Sequence, residues 1–344
     1  MWEDRGVRVV LTSSPDSAGH VTTLALEAEP STVEAALALG SRMAAIRSSA
    51  LDQWEALATL GSRDLGIARA VEPVLDAANI FREAAPEYDG PIPAGSTWGV
   101  FAAEGGDDPL TASDESGEWT LTGTKPWCSL AGQLDNALIT SRTSGGDRRL
   151  FSVDLSSSGV NVEPGSWHAR GLVEIPSGPV TFTGVPAVPV GAPGWYLSRP
   201  GFAIGGIGVA ASWFGGAIGI ARTVHVTLAA RDASDIQLMH LGAIDELVQS
   251  SRLALANAAA IVDTGAATPA ELSILAKRVR ATVARAGEEI IQRAGHALGP
   301  APLALDAEHA KRIADLTLYL RQHHAEKDQA SLGRAVLAQG VAPW

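Results

Sequence analysis

The hydrophobic period of this chain changes twice, and that limits its architecture more than any other feature. Up to about Pro93 apolar residues recur at helical spacing, first as Val33, Ala36, Leu37, Leu39 and Met43, then as Trp54, Leu57, Ala58 and Leu60. From about Thr97 to Pro193 the period drops to two. Trp119-Thr-Leu-Thr-Gly, Ala137-Leu-Ile-Thr, Leu150-Phe-Ser-Val-Asp-Leu and Val180-Thr-Phe-Thr alternate, and turn clusters such as Ser144-Gly-Gly-Asp separate them. From about Gly201 to Leu337 the helical period returns. Leu272, Leu275, Val279, Val283, Ala286 and Ile290 form one stripe, and Ile244, Leu247, Val248, Leu255 and Ala258 form another. Such a chain predicts an α+β protein in three parts: a helical domain over 1–93, a middle antiparallel β domain (open sheet, barrel or sandwich) over 94–197, and a helical domain over 198–344. Pro86, Gly90, Pro91, Pro93 and Gly95 mark the first linker. Asp52 and Asp64 are expected helix N-caps, and Gly299 with Pro300 and Pro302 breaks the chain before a last helix from about Asp306.

Composition removes several functions. The 344 residues are 46% hydrophobic and 19% charged, enough to bury a real core. A net charge of −12 argues against nucleic-acid and anionic-membrane partners, which require a basic footprint. The single cysteine, Cys128, excludes a disulfide framework and a thiolate-rich metal site. No apolar run is expected to span a bilayer, and Met1 to Arg8 is charged without a signal-peptide core, so a soluble cytoplasmic protein is expected.

The motifs are sparse. Gly206-Ile-Gly208-Val-Ala-Ala211 fits a degenerate dinucleotide-binding pattern, but Ser198-Arg-Pro-Gly-Phe before it is not a strand, so these glycines are expected to let helices approach closely. Of eight histidines only His323 and His324 are adjacent, and helical neighbours point about 100° apart, so no metal site is expected. There is no G-x-S-x-G elbow. The segment Trp119 to Ser129 says more. A strand ending in a Gly turn is followed by Lys125, Trp127 and Ser129 at alternate positions, which share a face if extended. A Trp and a hydroxyl on one face could flank a flat aromatic cofactor, though an ordinary strand with a core Trp has the same pattern.

Order and motif together resemble the acyl-CoA dehydrogenase family of flavoproteins. Trp54-Glu-Ala-Leu-Ala-Thr-Leu-Gly61 is similar to that family's N-terminal W..LA.LG helix, and Trp119 to Ser129, followed by Leu134-Asp-Asn-Ala-Leu-Ile, to its middle motif. Gly201-Phe202 with Gly216-Ala-Ile-Gly-Ile-Ala-Arg222 resembles the entry to its C-terminal bundle, and Gln292-Arg-Ala-Gly-His-Ala-Leu-Gly299 its Q..GG.G turn. The resemblance implies a C-terminal four-helix bundle and FAD held between it and the β domain. It places Trp127 beside the flavin ring, Ser129 near N5, and Phe101, Ala102 and Ala103 along the pyrimidine edge, with a family Thr lost near Ala103. Gln292 and Gly295 would contact the FAD of a neighbouring subunit, implying a homodimer or homotetramer. Glu104 and Lys125 are expected in structural roles, Trp98, Trp167 and Trp195 in the core or a pocket wall, and Trp213 in the wall of a substrate pocket, with a small acyl thioester, acyl-CoA included, as the first substrate class.

The sequence also departs from the family. The dehydrogenases need a carboxylate base to take the substrate α-proton. At that place, within Arg312 to Asp328, this chain has Arg321 or Gln322, and the alternative place, Val209-Ala-Ala-Ser-Trp213, holds no acid. The family's R..FG segment is replaced by Arg231-Asp-Ala-Ser-Asp. Three functions fit: a dehydrogenase with a substitute base among His323, His324 and Glu326 beside Arg321; a reduced-flavin monooxygenase or oxidase; or a non-catalytic partner subunit.

Overall fold

The computed structural model describes residues 7–12, 18–85, 87–105 and 108–342. The first part is helical: α1 His20–Glu27, α2 Val33–Ala44, α3 Ala50–Arg63 and α4 Leu65–Ala84. Asp64 caps α4 as expected, accepting from Gly66 N at 2.8 Å and Ile67 N at 3.2 Å. Asp52 does not cap its own helix. Ser49 caps α3, and the Asp52 carboxylate accepts from Val21 N and Thr22 N at 3.0 and 2.8 Å, capping α1 across space. An acidic side chain identifies a cap, but sequence does not say which helix end it reaches.

The middle part is a seven-stranded sheet: β1 Trp98–Phe101, β2 Thr111–Glu115, β3 Glu118–Lys125, β4 Asn136–Thr143, β5 Arg148–Asp154, β6 Val160–Val162 and β7 Val180–Val190. The expectation of an antiparallel sheet is corrected. β1 and β2 both run parallel to β4 and occupy successive stretches of its edge, while the remaining pairings are antiparallel. Alternation reveals a strand but not its direction, and the long connection from β1 to β4 brings the chain back the same way. The pairings β4–β2–β3–β7–β5–β4 close on themselves. Gly123 is not a turn. It lies inside β3 at φ +114°, where the register against β7 shifts, and a Cβ there would stand 2.7 Å from the Pro109 carbonyl oxygen.

The last part is helical: α5 Trp195–Ser198, α6 Pro200–Ala229, α7 Asp235–Thr264, α8 Pro269–Leu298, α9 Ala301–Leu305, α10 Ala307–Tyr319, a 3-10 turn Leu320–Gln322, and α11 Glu326–Leu337. Capping boxes start α7 (Ser234 with Gln237) and α8 (Thr268 with Glu271), and Asp306 caps α10 where the sequence placed the last break. Within the two expected stripes, Leu272, Val279, Val283, Ala286 and Ile290 of α8 and Ile244, Leu255 and Ala258 of α7 are buried.

Gly206 and Gly208 were expected to let helices approach closely, but a Cβ at either would make only ordinary side-chain contacts, at 3.5 and 3.6 Å, and the close approaches lie further along α6. A Cβ at Gly215 would stand 2.3 Å from Ala58 O, one at Gly219 2.8 Å from Ser62 O, and one at Gly61 2.9 Å from Ser212 O, so α3 and α6 touch backbone to backbone. α6 also corrects the reading of apolar runs. It is long and apolar enough to cross a membrane, but its most apolar window is 67% buried inside the protein, against α3 and α8 among others. Gly and Ala dilute its sequence enough to hide the run.

Candidate functional site

At the end of β3 the chain turns inward. Lys125 is 3% exposed and donates to Thr140 O at 2.5 Å and Thr140 Oγ1 at 2.9 Å. Burial, helped by Arg148, pushes its ammonium down to about 8. Trp127 follows Pro126 at φ +60° and is 63% exposed. Ser129 is buried, with its Oγ 2.7 Å from Ser177 Oγ and accepting from Arg69 Nη2 at 3.0 Å. The three residues therefore do not share an extended face, because the left-handed turn sends Trp127 outward while Lys125 and Ser129 go in. A bulky residue held at positive φ is strained, and such strain collects at ligand sites.

Phe101 is buried and pairs with Ile139 in the sheet, so its side chain is core. Ala102 and Ala103 are half-buried at the sheet edge. The Ala102 carbonyl accepts from Arg148 and from Thr140 Oγ1. Glu104 pairs with Arg142 and Arg148.

Arg69 joins this corner to the helices. Its Nη1 is 3.1 Å from Glu72 Oε2, the oxygen that Tyr319 OH also meets at 3.4 Å. The Trp213 ring meets Tyr319 edge-on at 6.2 Å and His323 at 6.5 Å, and the Arg280 guanidinium lies 4.7 Å from the Trp213 ring centre. Arg280 also donates to the carbonyls of Gly206 and Gln322 at 2.8 and 3.1 Å. A cavity of about 450 Å³ opens here between α4, α6, α8 and the segment after α10, lined by Glu72, Asp76, Arg199, Lys277, Arg280 and His323 among others. A second, of about 400 Å³, lies among α3, α4, α6 and Val262–Asp263 of α7, and Glu72, Asp76 and Gly205 line both.

Two carboxyls in these walls are shifted. Burial pushes Glu72 up to about 7, with Asp76 adding to the rise and Arg69 opposing it. Burial also raises Asp76 against the pull of Arg199, 3.5 Å away.

The expected catalytic residues separate. Arg321 is exposed and paired with Glu288, and Gln322 and Glu326 are exposed. His324 is 68% exposed beside Asp328. His323 is buried and lines the first cavity. Its Nε2 lies 3.8 Å from Asp328, has no hydrogen bond among the described residues, and burial lowers its pKa. Trp213 is fully buried and stands behind the cavity wall rather than in it, supporting Arg280 and His323, and its Nε1 also lacks a partner among the described residues. Gln292 is exposed and Gly295 half-buried. On α8 Gln292 stands about 18 Å from Arg280 at 1.5 Å per residue, so these two are not brought to the cavity of their own chain. Asp64, Glu174 and Asp315 cluster closely, but Lys311 Nζ sits among them at 3.1, 2.7 and 2.6 Å.

Arg69, Glu72, Asp76, Arg280 and Tyr319 escaped the sequence reading. The first three, with Asn79 and Glu83, recur at intervals of three and four along α4. That signal is present, but it reads as a solvated face, and nothing local says that α6 and α8 cover it.

No protein-family model matches the sequence, and no curated protein matches it. Solved structures do. KijD3, in complex with FMN and a dTDP-linked amino-keto sugar, superposes with a TM-score of 0.76 at 18% identity over 93% of this chain and 86% of that one. TdsC from Paenibacillus sp. A11-2, with FMN and indole, gives 0.76 at 16% over 94% and 97%. The nitrososynthase from Micromonospora carbonacea var. africana gives 0.72 at 15% over 86% and 83%. At these identities the likeness establishes the fold.

Proposed function

We propose that this chain, whose fold is the acyl-CoA dehydrogenase-like fold, is a flavin-dependent oxidising enzyme that uses reduced FMN and dioxygen on a small molecule. One observation carries the choice of a monooxygenase or oxidase over an acyl-CoA dehydrogenase. At the two positions that the family's base would occupy, Arg321 and Gln322, there is no carboxylate, and the carboxyls that do line the cavity are engaged: Glu72 by Arg69, Asp76 by Arg199 and Asp328 by His324 N. FMN is favoured over FAD because KijD3 and TdsC were solved with FMN.

The residues at the end of β3 fit a flavin. Trp127 presents a flat, exposed ring on a strained turn, and beside it Ser129 has a hydroxyl that Arg69 already polarises. Trp127, Ser129 and the backbone of Ala102 and Ala103 would hold the ring. A bound flavin supplies the two-electron redox chemistry. The chain's part is orientation and a firmly packed wall, with Tyr319 and Trp213 fully buried behind Glu72, Arg280 and His323. Gln292 and Gly295, remote from this cavity, fit a role toward a second copy, so a homo-oligomer belongs to this reading and sedimentation tests it.

A second reading rests on His323. A neutral imidazole with an unpartnered buried Nε2 can accept a proton, as a dehydrogenase base must. The deciding experiment mixes FMN-loaded protein with reduced FMN, oxygen and indole, the molecule bound in TdsC, and separately with butyryl-CoA without oxygen. Substrate oxidation that needs reduced FMN supports the proposal. Anaerobic bleaching that His323→Ala loses supports the dehydrogenase. Protein that takes up neither FMN nor FAD overturns both and leaves a non-catalytic subunit.

A further inference from the structure

Glu72 and Asp76 both border the two cavities, but Asp76 is paired with Arg199, and of the two only Glu72 is tied through Arg69 to Ser129. The Glu72 side chain is only 12% exposed. Arg69 and Tyr319 both engage Oε2, and among the described residues no hydrogen bond engages Oε1. One free carboxylate oxygen thus borders two chambers while the other is anchored. The anchor leads to Ser129, because Arg69 holds Glu72 through Nη1 and the serine hydroxyl through Nη2. Two hydrogen bonds across one planar guanidinium put Glu72 Oε2 within about 9 Å of Ser129 Oγ. At that separation a charge beside Ser129 changes a protonation equilibrium at Glu72 by about ten- to twentyfold at an effective dielectric of 20.

We propose that Glu72 is the proton-exchanging residue of this site: it takes a proton from cavity water when negative charge arrives beside Ser129 and returns it when that charge leaves. The inference rests on the proposed flavin position at Trp127 and Ser129. Were flavin held there to receive two electrons from an external reductant, Glu72 would form an O–H bond at Oε1 with a proton that the solvent buffer supplies by way of cavity water. On reoxidation that bond would break and the proton would leave by the same cavities. Glu72 suits the part because its carboxyl already titrates close to neutrality.

Charged and titratable groups face Glu72 from several elements. Its own helix brings Arg69 and Asp76, the end of α10 brings Tyr319, and α8 brings Arg280. α6 and α3 line its chambers with residues such as Gly205, Gly208, Trp54 and Leu57, none titratable. Across the first cavity stand Arg199, Lys277, His323, His324 and Asp328, and across the second Arg47, Arg82, Glu83 and Asp263. The buried Tyr319 hydroxyl is pushed far above the range in which it could titrate here, and Asp76 is already held by Arg199; His323 lies across the first cavity, but of these only Glu72 is joined to Ser129 through Arg69.

The test measures the midpoint potential of FMN bound to the full-length protein, poised with dithionite, from about pH 5.5 to about 8.5 around the Glu72 titration near 7. It is read on the bound fraction, so a change of affinity does not enter. The wild-type plot is expected to bend near pH 7 beyond the bend of free FMN. Glu72→Gln should remove the extra bend, and Glu72→Asp should keep it at a displaced pH. Arg69→Gln, which removes the cation that opposes the rise of Glu72, should move the extra bend to higher pH. A purely structural Glu72 would alter stability or FMN affinity without touching the bend. An unchanged bend in Glu72→Gln overturns the inference alone, and if that variant does not fold, an undisplaced bend in Glu72→Asp does the same. Wild-type protein that binds no FMN overturns the proposed function and this inference together.

Discussion

Lys311 and Asp315 lie one turn apart on α10 and meet at 2.6 Å, and the same ammonium holds Asp64 at the start of α4 and Glu174 in the loop before β7. Asp315 also accepts from Leu172 N at 2.6 Å, so one cation pins all three parts of the chain together. Lys311→Met should therefore leave Asp315, 2% exposed, without its counter-ion. Because Lys311 itself is 37% exposed, screening holds the expected loss to about 2 kcal/mol. Urea unfolding checks it, and Asp315→Asn in the same background should restore part of the loss, since the amide oxygen still accepts from Leu172.

The Glu72 carboxyl ties stability to pH. Its pKa rises on folding from about 4.5 to about 7, so between these values the folded state binds the extra proton. Its contribution is fully present below pH 4.5 and fades as pH rises through 7. The stability difference between wild type and Glu72→Gln should swing by about 3 kcal/mol in favour of Gln from pH 4 to pH 8. Denaturation at the two pH values measures it, and a constant difference would refute the shift.

The α3–α6 crossing should tolerate no side chain at Gly215. Gly215→Ala drives a Cβ to 2.3 Å from Ala58 O, with backbone on both sides, and should cost about 3 kcal/mol or more, or abolish folding. Gly242→Ala, on the open face of α7 with nothing within 4 Å, should instead raise stability by up to about 1 kcal/mol through helix propensity. Thermal melts of the pair separate packing from propensity.

Trp127 should show strain exchanged for binding. Trp127→Gly relieves the positive φ and gives up a ring that is 63% exposed, so stability should rise by about 1 kcal/mol. Affinity for FMN, read from quenching of its fluorescence, should fall about tenfold or more, as expected for the loss of a stacked aromatic worth about 1.5 kcal/mol. A variant that binds FMN as well as wild type would remove Trp127 from the site.

The three-part order, the Asp64 cap, the start of a helix near Asp306 (though α11 follows it) and the buried stripes of α7 and α8 were legible because each rests on local period or local chemistry. The parallel β1–β4 and β2–β4 pairings were not, since strand direction is decided by a distant partner. Trp127 and Ser129 stood out as a pair through their spacing, yet the left-handed turn that parts them left no mark in residue type, Trp being a poor choice for it. Glu72 and Arg69 looked like ordinary surface charges of an amphipathic helix. What makes them part of a site is coverage by α6 and α8, chain segments more than a hundred residues away.

The backbone contact of Gly61 with Ser212 and of Gly215 with Ala58 has a consequence for how the chain matures. α6 leaves the ribosome long after α3 and carries enough apolar surface to be mistaken for a membrane span. Until α3 is laid across it, that surface is open to bilayers, chaperones and other copies. The N-terminal third thus shields the C-terminal helices during synthesis. Fragments cut anywhere between the end of α3 and the start of α6 should be insoluble apart and recover only when expressed together.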